Sequence, residues 1–148
     1  TDLYHIRQMV SSITMKIPQT FCHGDLTFTN IIFNKNRLYL IDFLDCFIDS
    51  FLCDLIKLKQ DLYYHWSLDV QGIKNLRIRQ IYSFLWEKIE ERYSEYVDTI
   101  EFNVLDILNT LRIEPYLTNE DQRLIIKRML KCSSLYGNVS CTDGREVE

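Results

Sequence analysis

The sequence predicts a mainly helical domain that carries one small β-hairpin. Three observations point there. From Ser50 onward, apolar residues recur at intervals of three and four. Two short β-prone runs, "NIIF" and "RLYLIDF", lie close together ahead of that region. Only four glycines and two prolines punctuate 148 residues, too few for repeated loops or linkers. With 47% hydrophobic residues, a chain of 148 is long enough for one core and short for two.

Each element has its own signal. Leu3, Ile6, Met9, Val10 and Ile13 recur at helical intervals, and Pro18 closes that first segment. The two β-prone runs are joined by Asn34-Lys35-Asn36, whose asparagines tolerate left-handed turn geometry, so a hairpin is expected over 31–42. An isolated hairpin is marginal in water, which predicts that its apolar side packs on the neighbouring helices. Ser50 is placed to cap a helix with Leu52, Leu55, Ile56 and Leu62 on one face. Gly72 breaks the chain before a long helix marked by Ile78, Ile81, Leu85 and Ile89. Asp98 and Glu101 have capping-box spacing ahead of Val104, Leu105, Leu108 and Leu111, and Pro115 ends that run. Asn119 and Gln122 repeat the device before "RLIIKRML". The expected domain is 1–136, followed by a fraying polar tail over 137–148.

Composition excludes several classes. A net charge of -4 argues against a nucleic-acid binder that works by neutralising phosphates. No apolar stretch is long enough to span a bilayer, and "TDLYHIRQMV" lacks the basic head and apolar core of a signal peptide, so a cytoplasmic protein without membrane contact is expected. Five cysteines (Cys22, Cys46, Cys53, Cys132 and Cys141) without a C-x-x-C pair suit reduced thiols, and the His and Cys spacings match no common zinc site. Tyr63, Tyr64 and Trp66 read as core aromatics, and Lys57/Lys59 and Arg77/Arg79 as solvated helix faces.

The chemistry is concentrated in "HGDLTFTNIIFNKNRLYLIDF", residues 23–43. Asp25 and Asn30 bracket a tight loop over 23–30, and the antiparallel return of the hairpin brings Asp42 back beside Asn30. Each residue alone reads as a turn, cap or strand end. Together they place three oxygen-bearing side chains near one point, a donor set that suits magnesium with phosphate oxygens and water completing its shell.

H-G-D-x-x-x-x-N followed by I-D-F resembles the catalytic loop and metal-binding aspartate of the aminoglycoside phosphotransferase and choline kinase superfamily, relatives of the protein kinases. "DSFLCDLIKL" looks like that family's aspartate-containing helix start, with Phe51 where proline is usual. The resemblance covers His23 to about Leu58, and the helical remainder fits a kinase-like C-terminal lobe. It implies that Asp25 is the catalytic residue that orients the acceptor hydroxyl and accepts its proton, and that Asn30 and Asp42 hold Mg2+ against the phosphates of ATP or GTP. It also implies that His23 and Gly24 shape the loop, while Asp54 ties its helix to it. Asp45 and Asp49 are candidate linings of a pocket for a cationic substrate, beside a capping or solvated role. Phenylalanine after Asp42 favours a small-molecule acceptor (an amino alcohol, a sugar or an aminoglycoside) over a protein.

The glycines lie at 24, 72, 137 and 144, and no β-rich segment precedes His23. The expectation is therefore a C-terminal lobe whose N-terminal, nucleotide-clamping lobe belongs to a longer parent chain, and which by itself turns over little or nothing. The rival expectations are a non-catalytic kinase-like binding or interaction module and a plain helical interaction domain in which the motif is coincidence.

Overall fold

The structure, a computed structural model, describes residues 14–132. The expected N-terminal helix over Leu3 to Ile13 and the polar tail after Gly137 lie outside the described residues. Within them the chain runs through a 3-10 turn (Phe28–Asn30), strands β1 (Ile31–Asn34) and β2 (Arg37–Leu40), and helices α1 (Phe51–Leu62), α2 (Trp66–Val70), α3 (Leu76–Arg92), α4 (Ser94–Val97), α5 (Ile100–Ile113) and α6 (Glu120–Cys132). The architecture is mainly helical with one small antiparallel sheet, as the sequence predicts. None of the helices among the described residues is long and apolar enough to cross a membrane.

The hairpin's turn is one residue tighter than the sequence suggests, and its second strand ends at Leu40, two residues short of the expected 31–42. Ile31 faces Leu40 and Asn34 faces Arg37, so the turn is Lys35-Asn36, with φ of 46° and 65°. Positive φ at both central residues matches the twist of the flanking strands. Its apolar side chains do not pack on the helices as expected: Phe33 is 71% exposed and Leu38 61%, and Ile32, Tyr39 and Leu40 are exposed as well.

Helix α1 is the axis of the fold. Ser50 caps it, its hydroxyl accepting from Leu52 N at 3.3 Å. Leu52, Leu55, Ile56 and Leu62 form the core with Trp86 of α3, Val97 of α4 and Phe102 and Leu105 of α5. A smaller cluster of Tyr64, Ile126 and Met129 seats α6. Because neighbours surround α1, Lys57 and Lys59 are buried, and the expectation of a solvated lysine face is corrected. Arg79 is also engaged, in an ion pair with Asp69.

Two further boundaries depart from the sequence reading. Thr99, not Asp98, caps α5, accepting from Phe102 N at 3.2 Å. Glu101 does not complete a capping box there, because its carboxylate accepts from Lys16 N. The second capping box is present in part: Asn119 accepts from Gln122 N at 2.9 Å, while the Gln122 side chain accepts from Thr118 N at 2.8 Å, one residue before the cap, rather than from Asn119 N. Cys22, Cys46 and Cys53 are free thiols, whereas Cys132 is disulfide-bonded, which corrects the expectation of reduced thiols for that residue.

Candidate active site

The loop from His23 to Asn30 is held from below by one face of α1. Asp54 accepts from His23 N at 2.7 Å and from Gly24 N at 3.0 Å. One turn on, the Lys57 ammonium lies 2.9 Å from Asp25 Oδ1. A further turn on, Asp61 accepts from Phe28 N at 2.9 Å. Residues 54, 57 and 61 are spaced three and four apart and so lie on one helical stripe, which meets the loop at three successive points.

Inside the loop, Asn30 is buried and its Nδ2 donates to the Asp25 carbonyl at 2.8 Å and to Asp25 Oδ2 at 3.2 Å. Both carboxylate oxygens of Asp25 are therefore engaged, one by an amide and one by an ammonium. His23 is buried against Phe43, with ring centroids 4.2 Å apart. Its Nδ1 accepts from Asp25 N at 3.4 Å, and its Nε2 has no hydrogen-bond partner among the described residues. This geometry gives the imidazole no acceptor to hand a proton to.

Asp42 follows directly on Ile41, whose N–H donates to the Asn30 carbonyl at 3.1 Å. The hairpin thus returns the chain to Asn30 one residue before Asp42, which has a φ of 58° and an exposed side chain. With the Asn30 Nδ2 committed to Asp25, the Oδ1 is the end left for a cation. One amide oxygen and one carboxylate are a hard-oxygen set that fits magnesium with phosphate oxygens and water. Among the described residues, no three His, Cys, Asp or Glu side chains cluster as a self-sufficient metal site.

Gly24 is where two segments cross. Its φ is +85°, and a Cβ there would lie 2.0 Å from the Leu44 carbonyl oxygen, in a segment whose own N–H donates to His23 O at 3.0 Å. Gly24→Ala combines a left-handed backbone with a hard clash, and the expected cost is about 2–4 kcal/mol. Chemical denaturation of the variant checks this; an unchanged midpoint would mean that the crossing relaxes freely.

A small cavity opens beside Gly24, lined among others by Asp45, Lys57, Asn109 and Arg112. Asp45 reaches this cavity, whereas Asp49 is exposed and does not line it. Cys46, also in the lining, is pushed up to about 12 by burial and then by the neighbouring Cys53 and Cys22, so it stays a thiol at neutral pH and is no nucleophile. Tyr64 is buried, and Tyr63 and Trp66 pack around it or its cluster, away from the loop.

Lys57 and Asp61 escaped the sequence reading. No signal in the sequence marks them: Asp54, Lys57 and Asp61 form a polar stripe beside the apolar residues 51, 52, 55, 58 and 62, which reads as a solvent-facing side, whereas the loop from His23 to Asn30 covers it.

Residues 6–92 match the sequence model of the phosphotransferase enzyme family (APH). No curated protein and no solved structure matches the chain.

Proposed function

Because the chain belongs to the phosphotransferase enzyme family, we propose that it supplies the catalytic loop for moving the γ-phosphate of ATP or GTP to a hydroxyl of a small molecule such as an amino alcohol, a sugar or an aminoglycoside. The observation that carries this reading is the arrangement of Asp25: clamped at both oxygens by Asn30 and Lys57, it lies in a loop whose far end meets the hairpin just before Asp42. A merely structural turn has no need of a carboxylate fixed so firmly.

On this reading Asp25 accepts a hydrogen bond from the acceptor hydroxyl and fixes its line of approach. The acceptor oxygen forms its bond to the γ-phosphorus as the bond to the β,γ-bridging oxygen breaks. The hydroxyl proton passes to Asp25. In a loose transition state that proton moves late, so orientation outweighs basicity. Asn30 Oδ1 and the Asp42 carboxylate would hold magnesium, which when bound offsets negative charge on the phosphate oxygens. Asp54 and Asp61 keep the loop backbone in place.

The same reading makes residues 14–132 the helical lobe of a kinase-like fold, with the nucleotide clamped by a separate lobe of the enzyme. The exposed apolar ribbon of Ile32, Phe33, Leu38 and Tyr39 is the kind of surface that such a lobe and a nucleobase would cover. Thr1–Glu148 by itself then turns over little or nothing.

The test is transfer from Mg·ATP or Mg·GTP by the full-length enzyme to a panel of amino alcohols, sugars and aminoglycosides. Phosphorylated acceptor is expected with magnesium and not with EDTA. Asp42→Asn is expected to raise the magnesium requirement about 10–100-fold, the usual effect of weakening a metal's ligand environment. A folded enzyme that transfers phosphate to none of them would favour a non-catalytic binding module.

A further inference from the structure

The geometry points to Lys57 as a positioning residue for phosphoryl transfer, one that holds the Asp25 carboxylate aimed at the acceptor hydroxyl; this inference rests on the phosphotransferase reading of Asp25. Of the three α1 side chains that grip the loop, Asp54 and Asp61 take backbone N–H groups, which any loop of this shape offers. Lys57 alone takes a side chain, and that side chain is Asp25.

The pair is buried asymmetrically. The Lys57 side chain is 9% exposed and that of Asp25 is 28%, so the ammonium approaches from the protein side and leaves the outer side of the carboxylate open. With Asn30 Nδ2 on Oδ2 and Lys57 Nζ on Oδ1, rotation of the carboxylate is fixed from two directions. Lys57 also lines the small cavity beside Gly24.

A structural role alone accounts poorly for a lysine here. Burying an ammonium carries a desolvation penalty, and an apolar side chain of similar volume often fills such a site with equal or better stability. What the apolar residue lacks is the directed contact with Oδ1. Loss of that contact frees the carboxylate to turn, and a displacement on the order of 1 Å in a reacting group lowers turnover about a hundredfold.

The experiment uses the full-length enzyme with Mg·ATP, reading ADP formed with water as acceptor, so that no acceptor need be known. Lys57→Met is expected to lower kcat about 10–100-fold with KM for Mg·ATP changed by less than about twofold, and Lys57→Arg to recover most of that loss. Asp25→Asn is the reference that separates the two claims. If Asp25→Asn abolishes ADP formation while Lys57→Met turns over like wild type, the role of Lys57 is overturned and the phosphotransferase reading stands. If wild type forms no ADP with water or with any acceptor of the panel, or Asp25→Asn keeps the wild-type rate, the reading itself fails. Equal losses in Lys57→Met and Lys57→Arg, accompanied by lowered melting temperatures, would make Lys57 merely structural and overturn the inference. Should Lys57→Met not fold, Lys57→Gln is measured against the same outcomes.

Discussion

Asp25→Asn in the full-length enzyme is expected to lower kcat by about 10²–10⁴ with little change in KM for the nucleotide. The substitution keeps the size of the side chain and its bond to Asn30, and removes the charge that, on the proposed reading, receives the acceptor's proton. Lys57 adds a second consequence. Its buried ammonium loses its counter-charge, so the variant is expected to be less stable as well as less active. Breaking one side of a fully buried pair costs roughly 3–5 kcal/mol; with more than a quarter of the Asp25 side chain exposed, solvent screening brings this to about 1–3 kcal/mol. Steady-state kinetics and a thermal melt on the same preparation check both halves. A variant with wild-type kcat refutes the role of Asp25, and one with unchanged stability refutes the ion pair.

Asp106→Asn is expected to cause the largest loss of stability, roughly 3–5 kcal/mol, or on the order of 10 °C in melting temperature. Asp106 Oδ2 receives both the Lys59 ammonium at 2.8 Å and the Tyr64 hydroxyl at 2.7 Å, and Lys59 and Asp106 are 10% and 2% exposed at their side chains. The lysine also sits among the rings of Phe102, Tyr64 and Tyr63, with its Nζ 5.3–5.7 Å from their centroids. Burial and then the adjacent carboxylate push Tyr64 well above the usual phenol range, so it remains a hydrogen-bond donor and cannot compensate. Asparagine leaves Lys59 charged in a site with no anion. The control is Lys59→Met with Asp106→Leu, which removes both charges and is expected to recover part of the loss, because no uncompensated ion remains. Urea denaturation of wild type, single and double variants decides the matter: a single variant within about 1 kcal/mol of wild type would mean that Lys59 finds another partner or water.

Legibility in the sequence followed the kind of force involved. Local signals were readable. Ser50 caps α1, Asn119 and Gln122 cap α6, and Asn34-Lys35-Asn36 marked a turn, although only cross-strand register fixes Lys35 and Asn36 as its centre. Rules that assume a polar residue points outward failed at Lys57, Lys59 and Asp61, where buried partners on other segments decide the outcome. Glu101 shows the same limit, since its pull toward Lys16 across 85 residues is invisible to a four-residue cap pattern. The brief helix α2 was missed because it begins at His65 in a left-handed conformation, which nothing in a histidine announces. Of the site, the residue types and the fold-back of the hairpin were legible; the underside supplied by α1 was not.

The stripe of Asp54, Lys57 and Asp61 makes the pitch of one helix into a gauge for the loop above it. Each residue in a helix advances the azimuth by about 100°, so deleting a single residue between Asp54 and Asp61 would swing Asp61, or Lys57 and Asp61 together, out of line with Asp54. Substitutions elsewhere on α1 that respect volume leave the gauge intact. Length changes within those eight positions do not, and the helix is therefore far less tolerant of insertion than of exchange.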